Sequence, residues 1–164
     1  MALCSFDSAE AAQSPATSPG SARIEMGGVS FAVPKDWSSQ RISGGILLLA
    51  PRTERGWQAN IFLQHVTDRE NRSLDKAITD LIPSLAARKQ GFKELARSVE
   101  RHPAGLQVAF VEYLNQSENT PLREREVVIA LQGSERLFIV LSSEVGVFGK
   151  YEATFSGFLE SMSQ

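Results

Sequence analysis

The fold is decided by residues Lys93–Glu144, which read KELARSVERHPAGLQVAFVEYLNQSENTPLREREVVIALQGSERLFIVLSSE. Four stretches of this segment are rich in β-branched, aromatic and other apolar residues, and the short turns between them leave no room for a helix. They predict strands at Lys93–His102, Leu106–Asn115, Arg123–Gln132 and Glu135–Ser143. Strands joined by short turns pair antiparallel, because a parallel pair needs a crossover of about a dozen residues or more. The segment therefore predicts an antiparallel sheet.

Three of these strands are apolar on both faces. In the strand Leu106–Asn115, for example, Phe110 points to one side of the sheet, and Ala109 and Val111 point to the other. A sheet with one face in water would alternate apolar and polar residues, so we expect elements packed on both sides. The phenylalanine-rich segment Phe148–Met162, with apolar residues at helical spacing, is one such element. The expected fold class is α+β, an α/β/α sandwich around a central antiparallel sheet.

Upstream of this sheet the sequence predicts a hairpin and two further strands. Gly27-Gly28 supplies the positive φ angles that a two-residue turn requires. The predicted elements are strands at Arg23–Met26 and Val29–Val33, a loop through Trp37 and Gly44-Gly45, a buried strand at Ile46–Ala50, a charged turn at Arg52–Gly56 and a longer strand at Gln58–Val66.

A helix is predicted at Ser73–Gln90, where apolar residues recur at helical spacing from Leu74 onwards. Ser73 is the expected N-cap, because its hydroxyl can accept a hydrogen bond from a backbone amide of the first turn. Gly91 is the expected residue after the C-cap. Pro83 costs about 3 kcal/mol inside a helix, so we expect either a kink or a break there.

The composition indicates one domain with a tail. Residues 1–21 are rich in Ala, Ser, Pro and Gln and predict a disordered tail, which leaves residues 22–164 as the folded domain. The net charge of −2 disfavours a nucleic-acid partner, which normally meets a basic protein surface. The longest strongly apolar run, Ile46–Ala50, is far too short for a transmembrane segment.

The N-terminal residues bear on the compartment. Asp7 and Glu10 follow the initial Met-Ala-Leu-Cys-Ser, so the chain as printed shows neither the basic nor the apolar region of a signal peptide. We therefore expect a cytoplasmic protein. The alternative is a membrane-anchored lipoprotein, if translation starts upstream of Cys4.

Residue types and spacings exclude most catalytic and metal sites. His65 and His102 are the two histidines and Cys4 is the one cysteine, so none of the usual zinc ligand spacings is present. No Gly-x-Ser-x-Gly motif occurs, and Gly146–Lys150 is too short for a phosphate-binding P-loop. We expect no metal, no cofactor and no enzymatic activity.

One strand carries alternating charges. Glu124 and Glu126 alternate with Arg123 and Arg125, so residues of like charge share a face of the strand. Pairing with charges on a neighbouring strand is the usual reason for such a run. Nothing in the sequence predicts the desolvated pocket that acid–base catalysis by these carboxylates would need.

The segment Arg52-Thr-Glu-Arg-Gly-Trp57 predicts a protein contact, because Trp and Arg are enriched in the energetically dominant parts of interfaces. The predicted protein-binding residues are Arg52, Arg55 and Trp57, together with Arg123 and Arg125. Trp57 has an alternative interpretation as the first inward-facing residue of the following strand, and core packing is the favoured one.

The order of elements resembles the DcrB-like and PsbP-like families. The matching features are the strand Val29-Ser-Phe-Ala-Val-Pro34 with Trp37 nearby, the strand Gln58-Ala-Asn-Ile-Phe62, a helix, an antiparallel run entered through Gly105, and a terminal helix ending in Phe158-Leu-Glu-Ser-Met162. The resemblance extends from about Glu25 to Ser163, and it rests mostly on hydrophobic pattern.

The resemblance implies a PsbP-like fold and a non-enzymatic protein-binding or adaptor module. Members of this superfamily include bacterial lipoproteins, an extrinsic photosystem II subunit, a Ran-binding import factor and Eag-type chaperones of type VI secretion effectors. The family has no catalytic residues to transfer to this chain. Three alternatives stay open: a chaperone for a type VI secretion effector, a small-ligand-binding protein, and a domain that forms homodimers through its sheet.

Overall fold

The computed structural model describes residues 22–52, 56–103 and 105–164. Residues 1–21, which the sequence predicts as a disordered tail, lie outside the described residues, as does Arg55. The elements are β1 (Arg23–Met26), β2 (Val29–Ala32), β3 (Ser38–Ile42), β4 (Gly45–Leu49), β5 (Asn60–Thr67), α1 (Leu74–Arg88), β6 (Gln90–Arg101), β7 (Gln107–Ser117), β8 (Thr120–Ala130), β9 (Glu135–Glu144), a 3₁₀ turn (Val145–Val147) and α2 (Phe148–Glu160).

Seven strands form one antiparallel sheet in the order β3-β4-β5-β9-β8-β7-β6. Strands β3, β4 and β5 form one part of this sheet. After α1 the chain enters β6 at the opposite edge, and β6, β7, β8 and β9 follow as a meander in which β9 pairs with β5. In that closing pair Ile61 lies opposite Leu141, and Phe62 lies opposite Val140. The four-strand antiparallel run predicted from the sequence is confirmed.

Each face of the sheet has its own hydrophobic core. On one face α2 and the β1–β2 hairpin pack together, with Phe31 stacked on Phe158 at 4.8 Å between ring centroids and Phe155 fully buried. On the other face α1 packs over β6, β7 and β8, where Ile78 and Tyr113 belong to the same buried cluster. The expected α+β sandwich around an antiparallel sheet is confirmed.

The N-terminal hairpin is confirmed, whereas the predicted loop after it is wrong. Gly27 and Gly28 adopt φ angles of 63° and 76° at the turn between β1 and β2. The segment predicted as a loop contains β3, which pairs antiparallel with β4 at the edge of the sheet. Every residue of Ser38–Ile42 is exposed, so this strand carries no alternation of apolar and polar residues that could reveal it. Backbone pairing alone defines it.

The caps of α1 agree with the prediction at one end. The hydroxyl of Ser73 accepts a hydrogen bond from the Lys76 backbone N–H at 3.3 Å, as expected of an N-cap. At the other end Lys89 is the C-cap, and its N–H donates to the Leu85 carbonyl. Gly91 keeps a positive φ of 67°, but it already belongs to β6.

The break predicted as one alternative at Pro83 does not occur, because α1 is a single helix that contains Pro83. Pro83 is exposed, while Leu74, Ile78 and Leu85 are buried against the sheet on the other side of the helix. Burying one large apolar side chain contributes roughly 1.5–3 kcal/mol, so three of them outweigh the cost of one proline.

Within the described residues, no helix has both the length and the apolarity that crossing a membrane requires.

We expect Phe155→Ala to lower the free energy of unfolding by about 3–5 kcal/mol, because removing a buried aromatic ring leaves a cavity. Phe155 has 0% relative exposure in the core between α2, the hairpin and the sheet. Urea denaturation followed by circular dichroism measures the change. Val147→Ala is the control, since Val147 is exposed in the turn before α2. Equal losses in the two variants would contradict the placement of α2 in the core.

Candidate functional site

Helix α1 leaves part of one sheet face uncovered. It packs on β6, β7 and β8, whereas β4, β5 and β9 continue beyond it on the same face. Asn60, Gln64 and Ser142 lie on this uncovered part of the face. Six further side chains on it are apolar and only half-buried: Leu47, Leu49, Phe62, Val66, Phe138 and Val140. Between them and the flank of α1 runs a depression with a cavity volume of about 490 Å³, which we call the α1 groove. Trp57 and Leu81 are among its lining residues.

Polar side chains, all of them buried except that of Lys89, form one end of the α1 groove, which we call the polar end. Its members are Lys89, Tyr113, Glu124, Glu126 and Ser142. Glu124 is satisfied within the protein, because Lys89 Nζ donates to Oε2 at 2.8 Å and Ser142 Oγ donates to Oε1 at 3.0 Å. Glu124 and Glu126 are 4% and 7% exposed, so both carboxyl groups are largely removed from water.

Glu126 differs from Glu124 in its partners. No ion pair to Glu126 occurs within residues 22–52, 56–103 and 105–164, and its neighbour is the hydroxyl of Tyr113. Burial, followed by the charge of Glu124, raises the pKa of Glu126 to about 7, although Lys89 and Arg88 act in the opposite direction. Burial also raises the pKa of Tyr113, which keeps its hydroxyl protonated. Glu126 therefore changes charge near neutral pH.

The desolvation of these two carboxylates corrects the expectation from the sequence. The expected pairing with a neighbouring strand occurs, because Arg125 pairs with Glu112 opposite it on β7. The carboxylates of Glu124 and Glu126, however, are buried on the side of the sheet that α1 partly covers. The signal was present in the register of the strand, since they share a face with Val128, which is 0% exposed. In the part of the chain that the structure describes, no group of three or more His, Cys, Asp or Glu is arranged to hold a metal ion.

Arg123 and Arg125, which the sequence predicts as protein contacts, lie on the opposite face of β8 and bind within the protein. Glu112 accepts from both of them, with 2.9 Å from Arg123 Nε to Oε1 and 2.7 Å from Arg125 Nε to Oε2. The Arg123 guanidinium also lies 4.5 Å above the centre of the Phe148 ring. Arg125 donates to Glu152 of α2 as well. These contacts tie the first turns of α2 to the sheet.

The other residues predicted as protein contacts are Arg52, Arg55 and Trp57. Arg52 is exposed on the loop before β5, and Arg55 lies outside the described residues. Trp57 is half-buried at the α1 groove, where its backbone N–H donates to Glu144 Oε1 at 2.6 Å. The structure thus brings Trp57, but not Arg123 or Arg125, to the groove. Sequence reasoning missed the groove itself, because its walls come from α1 and from strands distant along the chain.

The sequence matches no family model, and no curated protein sequence matches it. Solved structures do match. PA94 from Pseudomonas aeruginosa, a protein of unknown function, aligns with a TM-score of 0.65 and 14% identity over 87% of this chain and 96% of that chain. The cyanobacterial PsbP protein of Synechocystis sp. PCC 6803 aligns with a TM-score of 0.65 and 11% identity over 87% of this chain and 91% of that chain.

The Ran-binding protein Mog1p of Saccharomyces cerevisiae aligns with a TM-score of 0.62 and 10% identity over 89% of this chain and 96% of that chain. These three alignments each cover 87% to 89% of this chain, and their low identities make the likeness one of fold. The resemblance to PsbP-like proteins is confirmed at that level.

We expect Glu126→Gln to raise the free energy of unfolding at pH 8 by about 1–3 kcal/mol, and to change it little at pH 4. The folded state of the wild type holds a proton on Glu126 up to a pKa of about 7, above the ordinary value of 4.5, so stability is lost as the pH rises from 4.5 to 7. Glutamine carries no charge at any of these pH values, so the variant does not lose stability in this way as the pH rises.

Urea denaturation at pH 4, 6 and 8 measures the difference between variant and wild type. Glu160→Gln is the matched control, because Glu160 is exposed on α2 at the other face of the sheet. Its effect is expected to be small and the same at each pH. A stability difference for Glu126→Gln that does not grow with pH would show that Glu126 is not held in its neutral form.

Proposed function

We propose that this chain, which shares the fold of PsbP and Mog1, is a non-catalytic module that binds a segment of another protein in the α1 groove. The observation that carries the proposal is the half-buried apolar floor of the groove. A contiguous apolar surface bordered by polar groups is typical of an interaction site. Here Lys89, Gln64 and Asn60 border a floor that contains Phe62 and Val140.

The extent of the surface favours a protein segment over a small ligand. Small-molecule sites are clefts or cavities that bury about 70–90% of the surface of their ligand. The apolar side chains of this face continue past the cavity to Leu47 and Leu49 on β4, which are half-buried and lie on the same side of the sheet. A segment several residues long would cover this whole surface, whereas a metabolite would cover one end of it.

The fold of the similar structures agrees with a binding role. Mog1p is a Ran-binding protein, and it has this fold at 10% identity. A shared fold leaves the binding partner open, because function depends on the groups that the fold displays. The kind of partner that this chain binds therefore depends on the side chains of its α1 groove, and the Ran partner of Mog1p does not identify it.

The groove offers little for catalysis. Its ionisable groups are one carboxylate engaged by Lys89, a second carboxylate beside it, and a tyrosine hydroxyl held in its protonated form. Neither a cysteine nor a histidine is among the lining residues. A binding role needs none of these groups to react.

The test is affinity capture from a native lysate with matched variants. The double variant Val66→Thr with Val140→Thr makes the groove floor polar at nearly constant shape, because Thr and Val are both β-branched. Val147→Thr is the control, since Val147 is exposed away from the groove. We expect the proteins enriched by the wild type to persist with the control and to fall at least about five-fold with the double variant, as a lost hot spot of 1 kcal/mol or more would give.

Quantitative mass spectrometry of the captured proteins gives the result. An identical set of proteins for the control and the double variant would contradict a role for the groove, and no enriched protein at all would contradict the proposed function. Light scattering of the wild type and the double variant tests whether a second copy of this chain occupies the groove. If the wild type is a dimer and the double variant is a monomer, the groove binds a second copy of this chain and not another protein.

A further inference from the structure

The α1 groove joins an apolar floor to a buried carboxylate that lacks a cationic partner within the described residues. Two carboxylates, Glu124 and Glu126, share the polar end, and the Lys89 ammonium pairs with Glu124 at 2.8 Å. Arg88 is exposed, and its Nε donates to the Ser84 carbonyl at 3.1 Å. A buried carboxylate without a counter-charge is costly, and a bound cation would remove that cost.

The order of groups along the groove suits one kind of side chain. Phe62, Phe138 and Val140 form an apolar path that leads to Glu126. Lysine and arginine have an apolar stem that packs on such a surface and a charged head that must find acceptors. The carboxylate of Glu126 and the oxygen of the Tyr113 hydroxyl are acceptors at the end of that path.

Other occupants fit the polar end less well. A carboxylate or phosphate would meet two carboxyl groups and a single ammonium, which Glu124 already engages. A wholly apolar segment would cover Glu126 and leave it without a charge partner. Charge complementarity therefore selects a basic residue among the apolar residues of the partner segment.

We propose that the partner segment inserts a lysine or arginine side chain into the α1 groove, with its cationic head on Glu126 and its stem against Phe62 and Val140. This inference rests on the proposed function and specifies the chemistry of the partner. Lys89 keeps its ion pair with Glu124, which leaves the Glu126 carboxylate and the Tyr113 hydroxyl oxygen as acceptors for the incoming cation. Trp57 lines the same groove and supplies a further apolar contact.

Binding of this kind depends on pH. The groups that face Glu126 are Tyr113 on β7, Glu124 on the same strand, and Lys89 and Arg88 at the end of α1. The side chains that β5 and β9 contribute to the groove are neutral. A proton on Glu126 competes with the cation, and the pKa of Glu126 is about 7 in the free protein. Affinity for a basic segment is thus expected to fall as the pH drops below 7.

The experiment compares two model peptides by nuclear magnetic resonance titration of the isotope-labelled full chain. The probes are acetyl-Ser-Val-Lys-Val-Ser-amide and its twin with norleucine in place of lysine, which has the same stem without the ammonium group. At pH 8 we expect the lysine peptide to bind at least five-fold more tightly than its twin and to shift the amide signals of β5, β8 and β9. At pH 5.5 that preference is expected to disappear.

The matched variants are Glu126→Gln and Glu160→Gln, and the dispersed amide spectrum of each verifies its folding. We expect the lysine preference to be lost in Glu126→Gln at both pH values and to persist in Glu160→Gln. Equal affinities of the two peptides for the wild type at pH 8, or no binding of either, would overturn this inference. The proposed function fails separately, if the double variant Val66→Thr with Val140→Thr still captures the same proteins as the wild type.

Discussion

The pairing of β9 with β5 is the contact on which the rest of the structure depends. It joins the three strands that precede α1 to the four that follow it, and it makes one sheet seven strands wide. At about 4.8 Å between strands such a sheet is roughly 29 Å across, whereas a helix is about 10 Å in diameter. The single helix on the α1 face therefore cannot cover it. On the other face both α2 and the β1–β2 hairpin pack on the sheet, and we call this side the α2 face.

Strand β8 shows how one alternating sequence has two different electrostatic outcomes. Its arginines point to the α2 face, where Glu112 accepts hydrogen bonds from both of them and Arg123 lies over Phe148. Its glutamates point to the α1 face, where Lys89 pairs with Glu124, and where burial and the charge of Glu124 raise the pKa of Glu126. On the α2 face the two arginines are paired within the protein, whereas on the α1 face Glu126 has no ion pair within the described residues.

The parts of the fold that the sequence predicts correctly are those with strong local patterns. Apolar residues on both faces of the C-terminal strands, Gly27-Gly28 at a tight turn and Ser73 before an apolar stripe each reflect interactions between near neighbours in the chain. The failure at β3 has the opposite character. Strand β3 is exposed along its whole length and is defined only by its pairing with β4. At Pro83, where a kink and a break were the two alternatives, α1 is a single helix, so the break is excluded.

By itself the sequence determined the order of the elements apart from β3, the antiparallel sheet and the need for cover on both faces, because side-chain periods of 2 and 3.6 residues reveal which faces are apolar. Only the tertiary structure decided where α1 lies across the sheet, that Glu112 engages both arginines, and that Glu126 is buried beside Glu124 without a cation of its own within the described residues. These features join residues far apart in the chain. Burial and charge pairing are properties of that assembled environment, and no local pattern of residues specifies them.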